Sequence, residues 1–169
     1  MNEAASASWT YAAAEAASAV HEYDDARRWV RDKRVPVTTP LAVEVWIFNE
    51  ALDRTLLVRH RWRGWVPPGG AVEPGEHPRV AAVRETFEET GVVLSQLGRP
   101  AAVAVRSFRA DWSLTLALSY WAVCREVEAV GEAGQPVAWM TISDGWASCF
   151  PEDVERLSAH AQRTRMARE

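Results

Sequence analysis

The residues of this sequence whose types and spacing could do chemistry are three glutamates, Glu85, Glu88 and Glu89, on a helix predicted over residues 78–90. At about 100° per residue they fall on one side of the helix, because they lie at i, i+3 and i+4. Carboxylates this close repel one another and destabilise the helix. A hard divalent cation such as Mg²⁺ removes that cost, because it takes carboxylate oxygens as ligands. A solvated acidic helix face is the alternative that three glutamates alone leave open.

The segment in front of this helix is rich in glycine and proline. The glycine pair Gly69 and Gly70 precedes a tight turn predicted over residues 73–76. Pro74 suits the second position of that turn, and Gly75 suits a third position with positive φ. A glycine pair here lets backbone approach a ligand closely, although an ordinary turn would also use it.

The bounds of the helix follow from its flanking residues. Pro78 suits the first helical position and Gly91 the position just past the end, with His77 as a weak N-cap. Three apolar side chains fall together opposite the glutamates and are predicted to face the core: Val80, Val83 and Phe87.

The pattern from Gly70 to Val92 resembles the signature of the Nudix hydrolase family. That signature is a glycine, a glutamate, Arg-Glu, Glu-Glu and a glycine, and this sequence matches each charged and glycine position over 23 residues. Thr86 departs from it, because the family usually has an aliphatic residue there, but all three glutamates that could bind a cation are present. The lead-in at residues 65–70, WVPPGG, is also similar to the family, and the strand pattern extends the resemblance to about residues 40–145.

The resemblance implies an α/β fold of the α/β/α sandwich type with a mixed sheet. It implies Mg²⁺-dependent hydrolysis, with Mn²⁺ as an alternative cation, of the pyrophosphate bond in a nucleoside diphosphate linked to another moiety, by water attack at phosphorus. The implied metal ligands are Glu85, Glu88 and Glu89, with the carbonyl of Gly69 as a further ligand. The implied catalytic residues are the three glutamates together with Arg84 and Glu76, and Arg84 is expected to pair with Glu76 or with the neighbouring glutamates. Gly70 is expected at the substrate.

Three arginines precede the glycine pair: Arg59 at the end of a predicted strand, and Arg61 and Arg63 in the segment that follows it. A guanidinium suits an anionic substrate bridged to the metal. An exposed basic turn explains the same residues, so both interpretations stay open.

The general base and the substrate are not fixed by the sequence. Four later carboxylates are candidates for a role beside the glutamates: Asp111, Glu126, Glu128 and Asp144. Four tryptophans could stack a base: Trp46, Trp62, Trp112 and Trp121. The ADP-ribose subgroup of the family tends to carry a proline where Ser107 stands, and the tyrosine of the dinucleoside polyphosphate subgroup has no counterpart, because Tyr120 is too far along.

Composition narrows the function classes. The 169 residues are 48% apolar and 25% charged, which is typical of one globular domain. A net charge of −4 argues against general binding of nucleic acid or of an anionic membrane. Cys124 and Cys149 form no metal or redox motif, so reduced thiols are expected. With no basic leader and no stretch near the ~20 apolar residues of a membrane span, a cytoplasmic protein is expected.

The remaining pattern predicts the elements that position these residues. A helix is predicted over residues 8–32, and Pro36 and Pro40 mark a linker. We therefore divide the chain into an N-terminal amphipathic helix and linker, 1–37, and a Nudix hydrolase domain, 38–169. Strands are predicted over 41–48, 54–60, 101–108, 113–124 and 137–142, and a C-terminal helix over 151–166.

Two other functions fit parts of the pattern. A non-catalytic Nudix-fold module could bind a nucleotide or regulate without cleaving it, but it would not need the intact glutamates. A Nudix-related isomerase of prenyl diphosphates would need a reactive cysteine, which the positions of Cys124 and Cys149 do not favour. A homodimer is plausible from the resemblance, with the N-terminal helix at its interface.

Overall fold

The computed structural model describes residues 3–32, 39–107, 113–131 and 133–168. The helices and strands of these ranges are, in chain order, α1 (Glu3–Ser18), β1 (His21–Glu22), α2 (Ala26–Arg31), β2 (Leu41–Phe48), β3 (Arg54–His60), β4 (Gly64–Val66), β5 (Gly69–Ala71), α3 (Pro78–Thr90), β6 (Ala102–Arg106), β7 (Thr115–Val123), β8 (Val137–Thr141), a short 3₁₀ helix (Ile142–Asp144) and α4 (Glu152–Met166). Within the same ranges, no helix is both long enough and apolar enough to cross a membrane.

Strand β2 is the centre of one mixed sheet of eight strands. Six of them follow the order β1-β6-β7-β2-β3-β4, while β5 pairs with β2 and β8 pairs with β3 outside that order. Strand β2 runs parallel to β7 along its whole length. Its first half also pairs with β5, with Val43 opposite Gly70 and Glu44 opposite Gly69. Its last residues pair with β3, which in turn pairs with β8. Because β2 is buried on both faces, it reads as a nearly continuous apolar run in which Glu44 is the charged interruption.

The two faces of the sheet carry separate apolar clusters. Alternate β2 residues Val43, Val45 and Ile47 pack with alanines of α1, α2 and α3. Trp46 and Phe48 point the other way and pack with α4. Helices thus cover both faces, and the predicted α/β/α sandwich with an additional N-terminal helix is confirmed.

Most predicted elements agree with the structure. The strands at 41–48 and 54–60 agree to the residue, and α4 begins one residue later than predicted. The predicted hairpin is antiparallel β6–β7. The residues predicted to join its strands, 109–112, and the linker residue Pro36 lie outside the described ranges.

The prediction of a single helix over residues 8–32 is wrong, because α1 ends at Ser18 and a second helix begins only at Ala26. Asp24 and Asp25 have φ of 58° and 52°, which no helix interior allows. Between α1 and α2, the His21 N–H donates to the Ala101 carbonyl at 2.9 Å, so this segment joins the sheet edge instead.

The predicted core face of α3 is also wrong. Val80 is 58% exposed and Phe87 is 54% exposed. The buried face instead carries Pro78, Ala81, Ala82, Thr86 and Thr90. Small side chains let the helix approach β2 and β5 closely, and this approach turns the glutamate side toward the sheet edge rather than away from it. Thr86, at the one position that departs from the signature, is fully buried.

Candidate active site

Helix α3 begins and ends where the sequence predicts. His77 is in the extended region and its Nδ1 accepts the Arg79 N–H at 3.2 Å, while Pro78 is the first helical residue. Gly91 has φ of 68° and its N–H donates to the Phe87 carbonyl at 2.8 Å. Both ends are therefore capped, which fixes where each glutamate of the helix points.

The turn before the helix is held from both sides. Gly75 has the predicted positive φ, 88°, and the Glu76 N–H donates to the Glu73 carbonyl at 3.0 Å. Ser8 of α1 reaches this turn from outside it: its hydroxyl donates to the Glu73 carbonyl at 3.1 Å and accepts the Gly75 N–H at 2.9 Å. Helix α1 thus supports the loop that leads into α3.

Further contacts join α1 to the start of α3. Glu15 accepts from Arg79 at 3.2 Å. The rings of Tyr11 and His77 lie 4.7 Å apart. These contacts and the Ser8 bonds tie α1 to the same part of the domain.

Arg84 connects the turn, the helix and strand β5. Its Nε and Nη2 donate to the two oxygens of Glu76 at 3.0 and 2.9 Å, which is the bidentate geometry of a strong pair. Its Nη1 donates to Glu85 at 2.7 Å and to Glu88 at 3.1 Å, and Nη2 also reaches the Ala71 carbonyl at 3.1 Å. The predicted pairing of Arg84 with Glu76 and with the neighbouring glutamates is confirmed.

These contacts shift the ionisation of the acidic residues. The hydrogen bonds from Arg84 lower the pKa of Glu76. Burial raises the pKa of Glu85, against the opposing effect of Arg84 and with a further contribution from the charge of Glu88. A half-buried carboxylate of this kind is stabilised as an anion when more positive charge is nearby.

The glycine pair leaves room for the glutamates. The Gly69 N–H donates to Glu89 Oε2 at 2.9 Å. A Cβ on Gly70 would overlap the Glu85 carboxylate, and a Cβ on Gly69 would overlap the Val43 carbonyl. Two of the three glutamates therefore lie directly against bare backbone.

The predicted metal ligands have the chemistry that a hard cation takes. They are carboxylate oxygens of Glu85, Glu88 and Glu89 and the carbonyl of Gly69, and Mg²⁺ prefers oxygen ligands of this kind. In the described ranges, no three His, Cys, Asp or Glu side chains converge as a metal-ligand group. Arg84 holds oxygens of Glu85 and Glu88 in this arrangement, so its guanidinium supplies the positive charge there.

Two of the later carboxylates, Glu126 and Asp144, lie away from this set. Glu126 pairs with Arg54 at 2.6 Å and accepts from Asn49 at 2.9 Å, at the far end of β2 from β5. Asp144 lies in the 3₁₀ helix that follows β8. Glu128 is exposed, and two positions further on the Val130 N–H donates to the Thr90 carbonyl at the end of α3 at 3.0 Å. Asp111 falls outside the described residues.

A pocket adjoins β5 on the side of α4. It is lined by residues 40–44, Arg63, Val66, Pro67, residues 69–71, Thr115 and Phe150. Of the three predicted arginines, Arg63 lines the pocket, whereas Arg59 and Arg61 are exposed and lie outside its lining. Burial lowers the pKa of Arg63, and the negative charges of Glu89 and Glu44 oppose that shift.

The predicted base-stacking tryptophans do not line the pocket where they are described. Trp46 is 1% exposed and belongs to the core, so its assignment to substrate is wrong. Trp121 packs against His160 at 5.1 Å between ring centroids. Trp62 is half-exposed beside Arg63, and Trp112 falls outside the described residues.

Sequence reasoning missed the polar groups below this pocket. Glu44 is 8% exposed, and its Oε1 accepts from Trp46 Nε1 at 2.9 Å and from Ser119 Oγ at 2.7 Å. Arg106 donates to Asp153 at 2.7 Å, and both are buried. Burial and then the charge of Glu44 raise the pKa of Asp153 to about 7. The available signals were single charges within apolar runs, such as Glu44 in LAVEVWIF.

Both cysteines are free thiols, Cys124 half-buried and Cys149 exposed. Burial is the first cause that raises the pKa of each thiol. Since a thiolate is the nucleophilic form, neither environment activates its cysteine.

Comparison with known proteins finds a matching family model and several relatives. A sequence model described as the NUDIX domain matches residues 38–159. The diphosphoinositol polyphosphate phosphohydrolase 2 of Mus musculus is 32% identical over 80 residues, which are 47% of this chain and 44% of that protein. The asymmetrical bis(5′-nucleosyl)-tetraphosphatase of Mus musculus is 58% identical over 33 residues, 20% of this chain and 22% of that protein. The matched part is thus less than half the length of either curated relative.

Among solved structures, a hydrolase of the NUDIX family from Clostridium perfringens superposes with a TM-score of 0.65 at 18% identity. The superposition covers 75% of this chain and 99% of that chain. At that identity the likeness concerns the fold.

Proposed function

The chain belongs to the Nudix hydrolase family, and on that premise we propose that it hydrolyses the pyrophosphate bond of a nucleoside diphosphate linked to another moiety. The reaction uses Mg²⁺, with Mn²⁺ as an alternative cation. The observation that carries the proposal is the position of Glu85 and Glu89 against the bare backbone of Gly69 and Gly70, since that backbone also forms one edge of the pocket.

The metal ligands in this proposal are Glu85, Glu88 and Glu89, with the Gly69 carbonyl. When bound there, Mg²⁺ neutralises charge on the diphosphate and lowers the pKa of the attacking water. The Gly69 N–H orients Glu89, and Arg84 fixes Glu76 and with it the turn that precedes the helix. A carboxylate of this set accepts the proton of the water.

The pocket receives the part of the substrate beyond the diphosphate. Arg63 lies at the pocket wall and within electrostatic reach of Glu89, so its guanidinium is placed for the phosphate chain. Gly70 lines the same wall and lets the chain pass close to backbone. Arg59 and Arg61 stand outside the lining and contribute long-range attraction of an anion.

Nucleotides are favoured over the substrates in the names of the first curated relatives. A diphosphoinositol polyphosphate carries many phosphates and needs several cations. Among the described residues that line this pocket, Arg63 is the one cation and Glu44 adds negative charge. A nucleoside has an uncharged body that suits such a pocket, and the tetraphosphatase named above acts on nucleosyl substrates.

Glu89→Gln is the variant that tests the activity. Hydrolysis is measured over nucleoside diphosphates and triphosphates, ADP-ribose, dinucleoside polyphosphates, nucleotide sugars and coenzyme A, with Mg²⁺, with Mn²⁺ and with EDTA. We expect metal-dependent cleavage that falls by at least about 100-fold in Glu89→Gln, since support residues of such sites alone cost up to that much. Glu50→Gln, at an exposed glutamate in the turn after β2, is the control and should keep full activity.

The outcome also separates this function from the alternatives. Full activity in Glu89→Gln would overturn the proposal. A nucleotide that binds by calorimetry yet survives overnight with Mg²⁺ would indicate the non-catalytic module. Alkylation of Cys124 and Cys149 should leave activity unchanged, which would exclude a cysteine-dependent isomerase.

A further inference from the structure

The floor of the pocket holds a carboxylate whose hydrogen-bonding capacity is only half used. Glu44 is 8% exposed and lines the pocket. Trp46 Nε1 and Ser119 Oγ both donate to Oε1, at 2.9 and 2.7 Å. Within the described parts of the chain, Oε2 accepts no hydrogen bond. Since each carboxylate oxygen has two lone pairs, Oε1 is saturated and Oε2 is the acceptor that remains.

The surroundings keep Glu44 in this orientation. Strand β2 places it between β5 and β7, where its backbone is opposite Gly69 on one side and Ser119 on the other. The buried indole of Trp46 cannot turn away, because it packs in the core with α4. The carboxylate is therefore fixed before any ligand arrives, which lowers the entropic cost of a bond to Oε2.

The direction of the substrate follows from Arg63 and from the two sides of the glycine pair. Arg63 lines the same pocket as Glu44 and the glycine pair, and its guanidinium is close enough to Glu89 and Glu44 for their charges to act on it. The Arg63 side chain makes no hydrogen bond to the described residues, and its Nε is buried. The phosphate chain lies with Glu85 and Glu89 on the α3 side of the glycine pair. Glu44 bonds to Trp46, which packs on the α4 side of the sheet, so the nucleoside body is the part of the substrate that meets Glu44.

We propose that Glu44 Oε2 selects a nucleobase that carries an exocyclic amino group. A carboxylate accepts hydrogen bonds and offers none, so an amino group of cytosine, adenine or guanine satisfies it. A carbonyl oxygen in the same place, as in uracil, meets a buried acceptor and is repelled. The inference rests on the proposed function for the direction in which the substrate lies, and it adds the substrate class.

The strongest test depends on the two hydrogen bonds that Glu44 Oε1 already accepts. In Glu44→Gln, the amide oxygen must stay with Trp46 and Ser119, because the amide NH₂ cannot accept their hydrogen bonds. The NH₂ group then takes the place of Oε2 and presents donors to the pocket. Glu44→Gln should therefore reverse the preference from an amino group to a carbonyl, rather than merely weaken binding.

The experiment measures binding of α,β-methylene CDP and α,β-methylene UDP by calorimetry, on the full chain with Mg²⁺. We expect wild type to prefer the cytidine compound by about 10-fold or more, within the range for one base-reading contact. Glu44→Gln should prefer the uridine compound, and Glu50→Gln, at an exposed glutamate in the turn after β2, should match wild type. The pair of α,β-methylene ADP and its purine riboside counterpart repeats the test with a donor simply removed.

The outcomes separate this inference from the proposed function. Equal binding of the two compounds by wild type, or an unchanged preference in Glu44→Gln, overturns the role of Glu44 even if hydrolysis is confirmed. Because these analogues are not cleaved, base selection without hydrolysis of any substrate would overturn the enzyme proposal and leave the inference standing. If Glu44→Gln does not fold, which its thermal unfolding would show, the two wild-type pairs still decide.

Discussion

The two faces of the sheet differ in how fully their buried polar groups are hydrogen-bonded. On the face that α3 covers, Arg84 donates to three carboxylates, whereas on the face that α4 covers, several buried polar atoms lack a partner in the described parts of the chain. Arg84 bonds to Glu76, Glu85 and Glu88. Across the sheet, several buried atoms have no hydrogen-bond partner within the described residues: both ring nitrogens of His160, Asp153 Oδ2, Arg106 Nε and Nη1, and Trp121 Nε1. On the first face, the buried hydroxyls of Thr86 and Tyr120 are smaller exceptions.

The difference indicates that the two regions have different roles. A fully bonded set of charges keeps its geometry without a ligand, as a site for phosphate chemistry requires. Unbonded buried polar groups cost free energy and are kept where they serve recognition or ionisation. Strand β5 lies between the two regions, so a substrate that crosses it contacts both.

Arg84→Lys should have the largest effect of these variants, because it disrupts the hydrogen bonds that Arg84 makes to the carboxylates. Lysine keeps the charge but cannot form the bidentate pair with Glu76 while also reaching Glu85. We expect kcat/KM to fall by about 10- to 100-fold in steady-state assays. Arg54→Lys is the matched control, because Arg54 pairs with Glu126 at the other end of β2. Equal losses in the two variants would contradict a special role for Arg84.

The two glycines of β5 should separate activity from stability. In Gly69→Ala the new Cβ meets the backbone carbonyl of Val43, which cannot move alone, so unfolding free energy should fall by about 1–3 kcal/mol. In Gly70→Ala it meets the mobile end of Glu85, so turnover should fall while stability changes less. Urea unfolding and hydrolysis assays on both variants check this contrast. A Gly70→Ala protein with wild-type turnover would be incompatible with it.

His160→Leu should raise the free energy of unfolding, and by more at acidic pH, because it removes two buried ring nitrogens that lack hydrogen-bond partners among the residues that the structure describes. Burial, with the charges of His21, Arg163 and Arg99, lowers the pKa of His160 to about 4. Because the unfolded chain takes up the proton near pH 6.5, the wild type loses stability as pH falls from there toward the folded pKa. The advantage of the variant in urea unfolding should be larger at pH 5 than at pH 8, by about 1–2 kcal/mol. An advantage that is constant with pH would contradict a buried neutral ring.

Ser8→Ala gives the smallest expected effect. It removes two hydrogen bonds to the turn at Glu73 and Gly75, which together contribute roughly 1–2 kcal/mol to stability. Thermal unfolding should show the loss. Thr10→Ala is the control, because the Thr10 hydroxyl bonds only within α1. Light scattering on the full chain and on residues 38–169 tests the predicted homodimer separately.

The sequence predicts the bonded region well because its residues are contiguous. The bounds of α3, the turn at Gly75 and the pair of Arg84 with Glu76 all follow from local patterns. The face of α3 does not, because Val80 and Phe87 are its large apolar residues and yet the helix packs through Ala81, Ala82 and Thr86. Side-chain size, not apolar character, decides how closely that helix approaches β5.

The pocket could not be predicted in the same way, because it is assembled from separate parts of the chain. Glu44, Arg63, Thr115 and Phe150 come together only through the pairing of β2 with β5 and β7 and the return of the chain to α4. Arg63 could not be distinguished from Arg59 and Arg61 by type or spacing. Burial alone distinguishes it.

The bonds from Ser8 to the turn also bear on the order of folding. Ser8 and Glu73 are separated by 65 positions in the chain. Such a contact closes a long loop, so its entropic cost is met only after the intervening strands have paired. The loop that leads into α3 thus reaches its final form late, and activity should return after the sheet does when the protein refolds.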